Sequence, residues 1–156
     1  MISQDTKNGE NFINFVKIRQ NAMVPVRGSL TAAGADLHAC LETSIELYFG
    51  DLILVPTGIA IELPSPEFAG FIFARSGLGI KYGVIPSNAV GVIDSDYRGE
   101  IMVGLCKVSK NEKYVINHGD RIAQLIIIKT ENLGFKEVDI LSQTQRGEQG
   151  FGSTGK

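Results

Sequence analysis

Apolar and polar side chains alternate with period two over several short stretches of this chain. Ile59, Ile61 and Leu63 fall on one side of such a stretch and Ala60 and Glu62 on the other, the pattern of a strand with one face against a core. Similar short apolar runs occupy positions 12–18, 68–73, 101–106 and 121–128. Turn residues separate them. Phe49-Gly50-Asp51, Leu63-Pro64-Ser65-Pro66 and Asn117-His118-Gly119-Asp120 place glycine where the chain must reverse and proline where a ladder donor is withheld. Only the segment after Arg75 has helical character, and it is about two turns long at most. Many short strands without interleaved helices predict an all-β unit of the sandwich, barrel or jelly-roll kind rather than a βαβ fold. No fixed-period repeat and no low-complexity stretch interrupts the pattern.

The periodicity fades at both ends. Residues 1–10 are polar, and residues 142–156 carry one apolar side chain, Phe151, among Gly, Gln, Ser and Thr. Such a tail cannot join a core of its own: it is either disordered or it orders on binding. The expected organisation is one β domain over residues 1–141 and a flexible glycine-rich arm over 142–156. At 156 residues and 44% apolar composition, one core is the natural outcome.

Charge narrows the functional classes. With 15 basic and 17 acidic residues the formal net charge is -2, so there is no positive field to hold a nucleic-acid backbone. Lys7, Glu10, Lys17 and Arg19 break up the first thirty residues, and no later run reaches membrane-spanning length. A soluble, cytoplasmic protein is expected, with neither nucleic acid nor membrane as partner. Cys40 and Cys106 stand far apart without CxxC company, and His38 and His118 have no neighbours at metal-ligand spacing. Two reduced thiols and no direct metal cage are the expectation.

Two segments are ambiguous by themselves. Ala74-Arg75-Ser76-Gly77 at a strand-to-helix transition is either an anion site or a capped helix. Gln124, a lone amide inside the apolar run of Gly119-Asp120-Arg121-Ile122-Ala123-Gln124-Leu125, is either a satisfied core amide or a ligand contact. The stretch from Asn88 to Glu100 is richer: a short apolar strand runs into Asp94-Ser95-Asp96 and then Tyr97, which suits a β-hairpin with polar groups gathered at one end. Asp94, directly after Val92-Ile93, is placed to hold a carboxylate at the rim of a pocket.

Taken together, five segments carry a resemblance. Ala33-Gly34-Ala35-Asp36-Leu37, Arg75-Ser76-Gly77, Gly91-Val92-Ile93-Asp94-Ser95-Asp96-Tyr97-Arg98-Gly99, Gly119 to Leu125, and Arg146-Gly147-Glu148-Gln149-Gly150-Phe151-Gly152-Ser153-Thr154-Gly155 resemble, in order, the five motifs of the trimeric deoxyuridine triphosphatases. The resemblance implies a jelly-roll (β-clip) subunit with one short helix, three subunits sharing three active sites, and hydrolysis of dUTP to dUMP and pyrophosphate. It also implies a set of roles. Asp94 becomes the catalytic carboxylate that activates water; Asn88 and Gly91 belong to the hairpin that receives uracil; Tyr97 packs on deoxyribose and leaves no room for a 2'-hydroxyl. Arg75, Ser76, Gly77 and Gln124 become phosphate contacts, while Arg146, Phe151, Gly152 and Ser153 belong to the arm that closes over base and triphosphate. Magnesium (Mg2+) is expected on the phosphates with water as its remaining ligands. Asp36 is then either a contact to that hydrated ion through water or a structural acceptor. Ala35, where bulkier residues are common, and Pro86-Ser87 ahead of the hairpin are the departures from the family pattern. The closest rivals, a dCTP deaminase and a non-catalytic nucleotide sensor, fit the Asp-Ser-Asp-Tyr segment and the glycine-rich tail less well.

Overall fold

The structure, a computed structural model, describes residues 12–148. Phe151, Gly152 and Ser153 of the expected arm lie outside the described residues. In chain order the elements are β1 (Asn14–Lys17), β2 (Val26–Arg27), β3 (Ala35–His38), β4 (Ile45–Leu47), β5 (Leu52–Pro56), β6 (Ile59–Glu62), β7 (Phe68–Phe73), α1 (Ser76–Tyr82), β8 (Val84–Pro86), β9 (Gly91–Ile93), β10 (Met102–Lys107), β11 (Tyr114–Ile116) and β12 (Arg121–Lys129). Every predicted run holds a strand, and the helix begins directly after Arg75, as the sequence implies. The protein is an all-β jelly roll with one short helix.

The largest sheet runs β2-β3-β12-β7-β9, with antiparallel neighbours throughout. Its centre is the nine-residue β12, flanked by β3 and β7. A bulge falls between Arg121 and Ala123 on β12, so two consecutive residues, Ile122 and Ala123, are both buried where strict alternation would expose one. The second layer is the β5-β10-β8 sheet together with the ladders β1-β6 and β4-β11. Leu37, Leu47, Val55, Ile59, Ile101, Leu105, Ile116 and Ile122 meet between the layers, fully buried. Each such side chain contributes about 1.5–3 kcal/mol relative to an exposed one.

One expectation is modified. The chain does turn at Asp94–Tyr97, but the strands on either side of that turn do not form the expected hairpin, since β9 pairs with β7 and β10 with β5 and β8; nor do the two arms of the turn at Asn88 pair with each other, β8 lying on β10 and β9 on β7. Each arm has only three residues, and each finds a six-residue strand in a different sheet, which offers more ladder bonds than a three-residue hairpin could. The turn therefore bridges the two layers and stands at their open edge.

Beyond β12 the chain leaves the body. Thr130 N–H still donates to Glu67 O at 2.6 Å and Asn132 Nδ2 to Pro66 O at 3.1 Å, after which residues 133–148 are exposed throughout. That exposed stretch includes Leu133, Phe135, Val138, Ile140 and Leu141.

Candidate active site

Antiparallel register brings three motifs together at one end of the large sheet. Gln124 of β12 lies opposite Asp36 of β3 on one side and Phe73 of β7 on the other. Two residues past Phe73 stands Arg75, whose Nε donates to Asp36 Oδ1 at 2.9 Å and whose Nη1 donates to Arg121 O at 3.2 Å. Arg121 Nη1 donates to Asp36 Oδ2 at 3.2 Å. Asp36, only 7% exposed, thus has each oxygen tied to a guanidinium, and the cluster of two arginines and one carboxylate keeps a positive excess. Two of the five guanidinium donors of Arg75 serve the protein in these bonds, and the remainder are oriented by them. Ser76 and Gly77, exposed at the start of α1, add a hydroxyl and backbone N–H groups. The arrangement suits a polyphosphate.

His38 sits two residues after Asp36 on the same face of β3, buried, with Nδ1 lacking a hydrogen-bond partner among the described residues. Burial holds its imidazolium pKa below the usual value, the charges of Arg121 and Arg75 push the same way, and Asp36 opposes them. His38 is therefore a neutral neighbour of the ion cluster at physiological pH.

The second group of site residues is built by the bridging turn. Ala89 has φ of 61°, and Val90 N–H donates to Asn88 O at 2.7 Å across it, a strained three-residue turn of the kind that collects at ligand sites. Gly91 follows. A Cβ there would lie 3.2 Å from Ile72 Cβ and 3.5 Å from Asn88 Nδ2, so the glycine lets the Asn88 amide and β7 approach one backbone. Asn88, Gly91, Ile93, Met102 and Gly104 line a cavity of about 110 Å³. It is a notch with room for a small group.

Asp94 follows β9 directly and is exposed. With Ser95, Asp96, Phe68 and Ala69 it borders a separate cleft of about 540 Å³. The loop behind it is braced by its own atoms: Tyr97 N–H donates to Asp94 O at 3.1 Å, Tyr97 Oη to Glu100 O at 3.0 Å, and Arg98 Nη1 to Ser95 O at 2.7 Å. Glu100 is in turn held well below the usual carboxylate range by the Arg19 guanidinium and by the Gly58 N–H. Tyr97 is 43% exposed, its ring laid over Gly99.

Asp94 and Arg75 do not meet within one chain. Strand β9 runs antiparallel to β7, pairing Gly91 with Ile72 and Ile93 with Gly70, so Asp94 falls at the Phe68–Ala69 end of β7 while Arg75 follows the Phe73 end. At about 3.3 Å per residue the four steps from Ala69 to Phe73 already amount to roughly 13 Å. Arg146 is exposed on the segment that leaves the body. Among the described residues no group of three or more His, Cys, Asp or Glu side chains could hold a metal ion, and the two oxygens of Asp36 are already engaged. Cys40 and Cys106 are both free thiols, and burial pushes the Cys40 thiol up.

Arg121, Met102 and Gly104 are parts of these groups whose roles are not legible in the sequence. Arg121 lay inside a recognised motif, and the signal that would have promoted it, a carboxylate 85 residues away in register with it, exists only once the sheet is assembled.

A cluster with a positive excess after the Phe73 end of β7, and a small cavity beside Ile72 of the same strand, sit on an all-β fold and suit a protein that binds a small anionic ligand. The dUTPase family model matches residues 20–155. A deoxyuridine 5'-triphosphate nucleotidohydrolase of Burkholderia ambifaria is 42% identical over 144 residues, which are 92% of this chain and 97% of the relative. Among solved structures, a mutant dUTPase of Staphylococcus bacteriophage 80alpha with dUpNHpp superposes with a TM-score of 0.82 at 23% identity, covering 94% of this chain and 99% of that one. A mutant dUTPase from phage phi11 of S. aureus, described as showing the coordination of a structural Mg(II) ion, has a TM-score of 0.76 at 21% identity over 85% of this chain and 100% of its own. The chain belongs to the dUTPase family, and its enzyme class is that of a dUTP diphosphatase.

Proposed function

We propose that this chain hydrolyses dUTP, presented as its magnesium complex, to dUMP and pyrophosphate, at sites built by three copies of the chain. The observation that carries the reading is the notch: Asn88 held over Gly91 beside a strained turn, with Asp94 at the end of the same short strand. Backbone groups of the turn and the Asn88 amide pair with the edge of uracil. Cytosine exchanges a donor for an acceptor on that edge and would leave buried groups unpaired, and thymine brings a methyl group into a wall of backbone. Tyr97 packs on the deoxyribose and denies space to a 2'-hydroxyl.

Asp94 orients and deprotonates the water that attacks the α-phosphorus, a role worth about 10²- to 10⁴-fold in rate. Arg75, Ser76, Gly77 and Gln124 bind the oxygens on which charge accumulates as pyrophosphate leaves. Magnesium would enter with the substrate, where it would neutralise part of the charge on the phosphates. Asp36 supports the site by fixing Arg75 and Arg121 rather than by contacting the ion.

The separation of Asp94 from Arg75 supports a shared site, one copy supplying the notch and another the phosphate cluster. The exposed Leu133, Phe135, Val138, Ile140 and Leu141 support it too, because an apolar stretch of that size gains by lying on a second copy. Residues 142–156 then act as the arm, with Phe151 over uracil and Arg146, Gly152 and Ser153 on the phosphates. In the cell the activity keeps dUTP low, limits uracil in DNA and supplies dUMP for thymidylate synthesis, in the cytoplasm, where both thiols stay reduced.

The test is pyrophosphate release from dUTP set beside UTP, dTTP and dCTP at equal magnesium. Release from dUTP at rates at least about 10²-fold above the others is expected, since a site matched to one pairing edge rejects its analogues by such factors. Comparable release from UTP would remove the role given to Tyr97, and comparable release from dCTP or dTTP the role given to the notch.

A further inference from the structure

Strand β10 points every second residue inward, and the inward positions are Val103, Leu105 and Lys107. Lys107 is only 1% exposed, among aliphatic neighbours, although a buried ammonium is costly unless its protons are all bonded. Its Nζ donates to Tyr82 O at 3.1 Å, Ser109 O at 3.0 Å, Ser109 Oγ at 2.9 Å and Asn111 Oδ1. None of these acceptors is a carboxylate. The compensating charge is the end of α1, because Tyr82 is its last residue and the carbonyls there carry the negative end of the helix dipole.

The loop after Lys107 completes the grip. Ser109 Oγ donates to Tyr82 O at 2.7 Å, Asn111 Nδ2 to Lys81 O at 3.3 Å, and Val108 N–H to Gly83 O at 2.8 Å. Gly83 closes the helix with φ of 64°, and a Cβ there would lie 2.3 Å from Ser109 Oγ, so the junction tolerates only glycine. Apart from Arg75, whose side chain is tied to Asp36 and Arg121 O, little else secures the helix. Its N-cap position, Arg75, makes no side-chain cap bond, its first turn has no acidic residue, and Leu78 is its single buried side chain. Seven residues are too few to hold a helix by local bonds alone.

We propose that Lys107 is a positioning residue for the phosphate-binding end of α1. By holding the Tyr82 carbonyl, and with it Ser109 and Asn111, which bond Tyr82 O and Lys81 O, it sets the axial placement of the helix, and so of Ser76 and Gly77 about 9 Å away at the other end. Lys107 itself touches no substrate. The inference rests on the dUTPase reading above and adds to it the device that keeps the phosphate cradle in register with Arg75.

The experiment compares the affinity of the full-length chain for dUpNHpp, which carries the three phosphates, with its affinity for deoxyuridine, which carries none. Lys107→Met is expected to weaken dUpNHpp roughly tenfold while deoxyuridine changes less than about twofold. The pair Ser109→Ala with Asn111→Ala removes two acceptors of Lys107 Nζ and their own bonds to Tyr82 O and Lys81 O, and keeps the lysine on Tyr82 O; a selective loss of roughly threefold for dUpNHpp is expected. Equal weakening of both ligands, or of neither, in a folded variant overturns the proposal. Should Lys107→Met not fold, the Ser109/Asn111 pair decides by the same criterion. Failure of the unmodified chain to bind dUpNHpp would instead overturn the dUTPase reading itself.

Discussion

His38 sets a clear problem at the level of single residues: an imidazole with an unpartnered Nδ1, buried beside two arginines and one aspartate. Its folded pKa lies below the unfolded value of about 6.5, so the native state keeps it neutral and the unfolded chain takes up the proton first. Stability is then fully present above about pH 6.5 and declines as pH falls from there toward the folded pKa. His38→Gln removes the titration and keeps a polar side chain. In urea unfolding at about pH 8 and about pH 5.5, the stability of the unmodified chain relative to this variant should fall at the lower pH. A difference that stays constant between the two would show that His38 does not titrate on unfolding. Residues of this kind were invisible in the sequence, where His38 had no neighbour at ligand spacing. Its meaning comes from Arg75 and Arg121, brought to it by sheet register and helix placement.

Among the elements, legibility followed amphipathicity. The stretches holding β6, β7, β10 and β12 have one face in the core and one outside for most of their length, so the period-two pattern recorded them; α1 was marked by its Ser-Gly start. The two- and three-residue strands β2, β4, β8, β9 and β11 have too few positions to show a period, and their partners determine them. The bulge on β12 and the inward-facing Lys107 also break alternation for reasons that lie on other elements. Asp36 links three of these elements, β3, β12 and the lead into α1, through its two ion pairs. Asp36→Asn would leave two guanidinium groups facing a neutral amide. Breaking a buried pair costs about 3–5 kcal/mol, and with the Arg121 side chain 55% exposed the expected loss here is about 2–3 kcal/mol. Urea denaturation measures it. A loss below about 0.5 kcal/mol, the level of an ordinary surface change, would mean that Asp36 does not hold these elements together.

For the molecule as a whole, the proposed roles of Asp94 and Arg75 require that no single chain own a site, because the two residues border opposite ends of β7. Asp94→Asn and Arg75→Ala should each abolish turnover in a pure assembly. Unfolding the two variants together in equal amounts and refolding them would give mixed assemblies. A site drawing its notch from one copy and its phosphate cluster from another is intact when the first copy carries only the Arg75 change and the second only the Asp94 change. With random mixing that combination occurs in about one quarter of sites, so about a quarter of the original pyrophosphate release should return. If both residues served the same site from one chain, every site would carry one defect and nothing would return. Separate refolding followed by mixing provides the control, since assemblies that do not exchange stay inactive. A mixture that stays silent although mass measurement shows mixed assemblies would place the catalytic carboxylate and the phosphate cluster in one subunit, against the separation along β7.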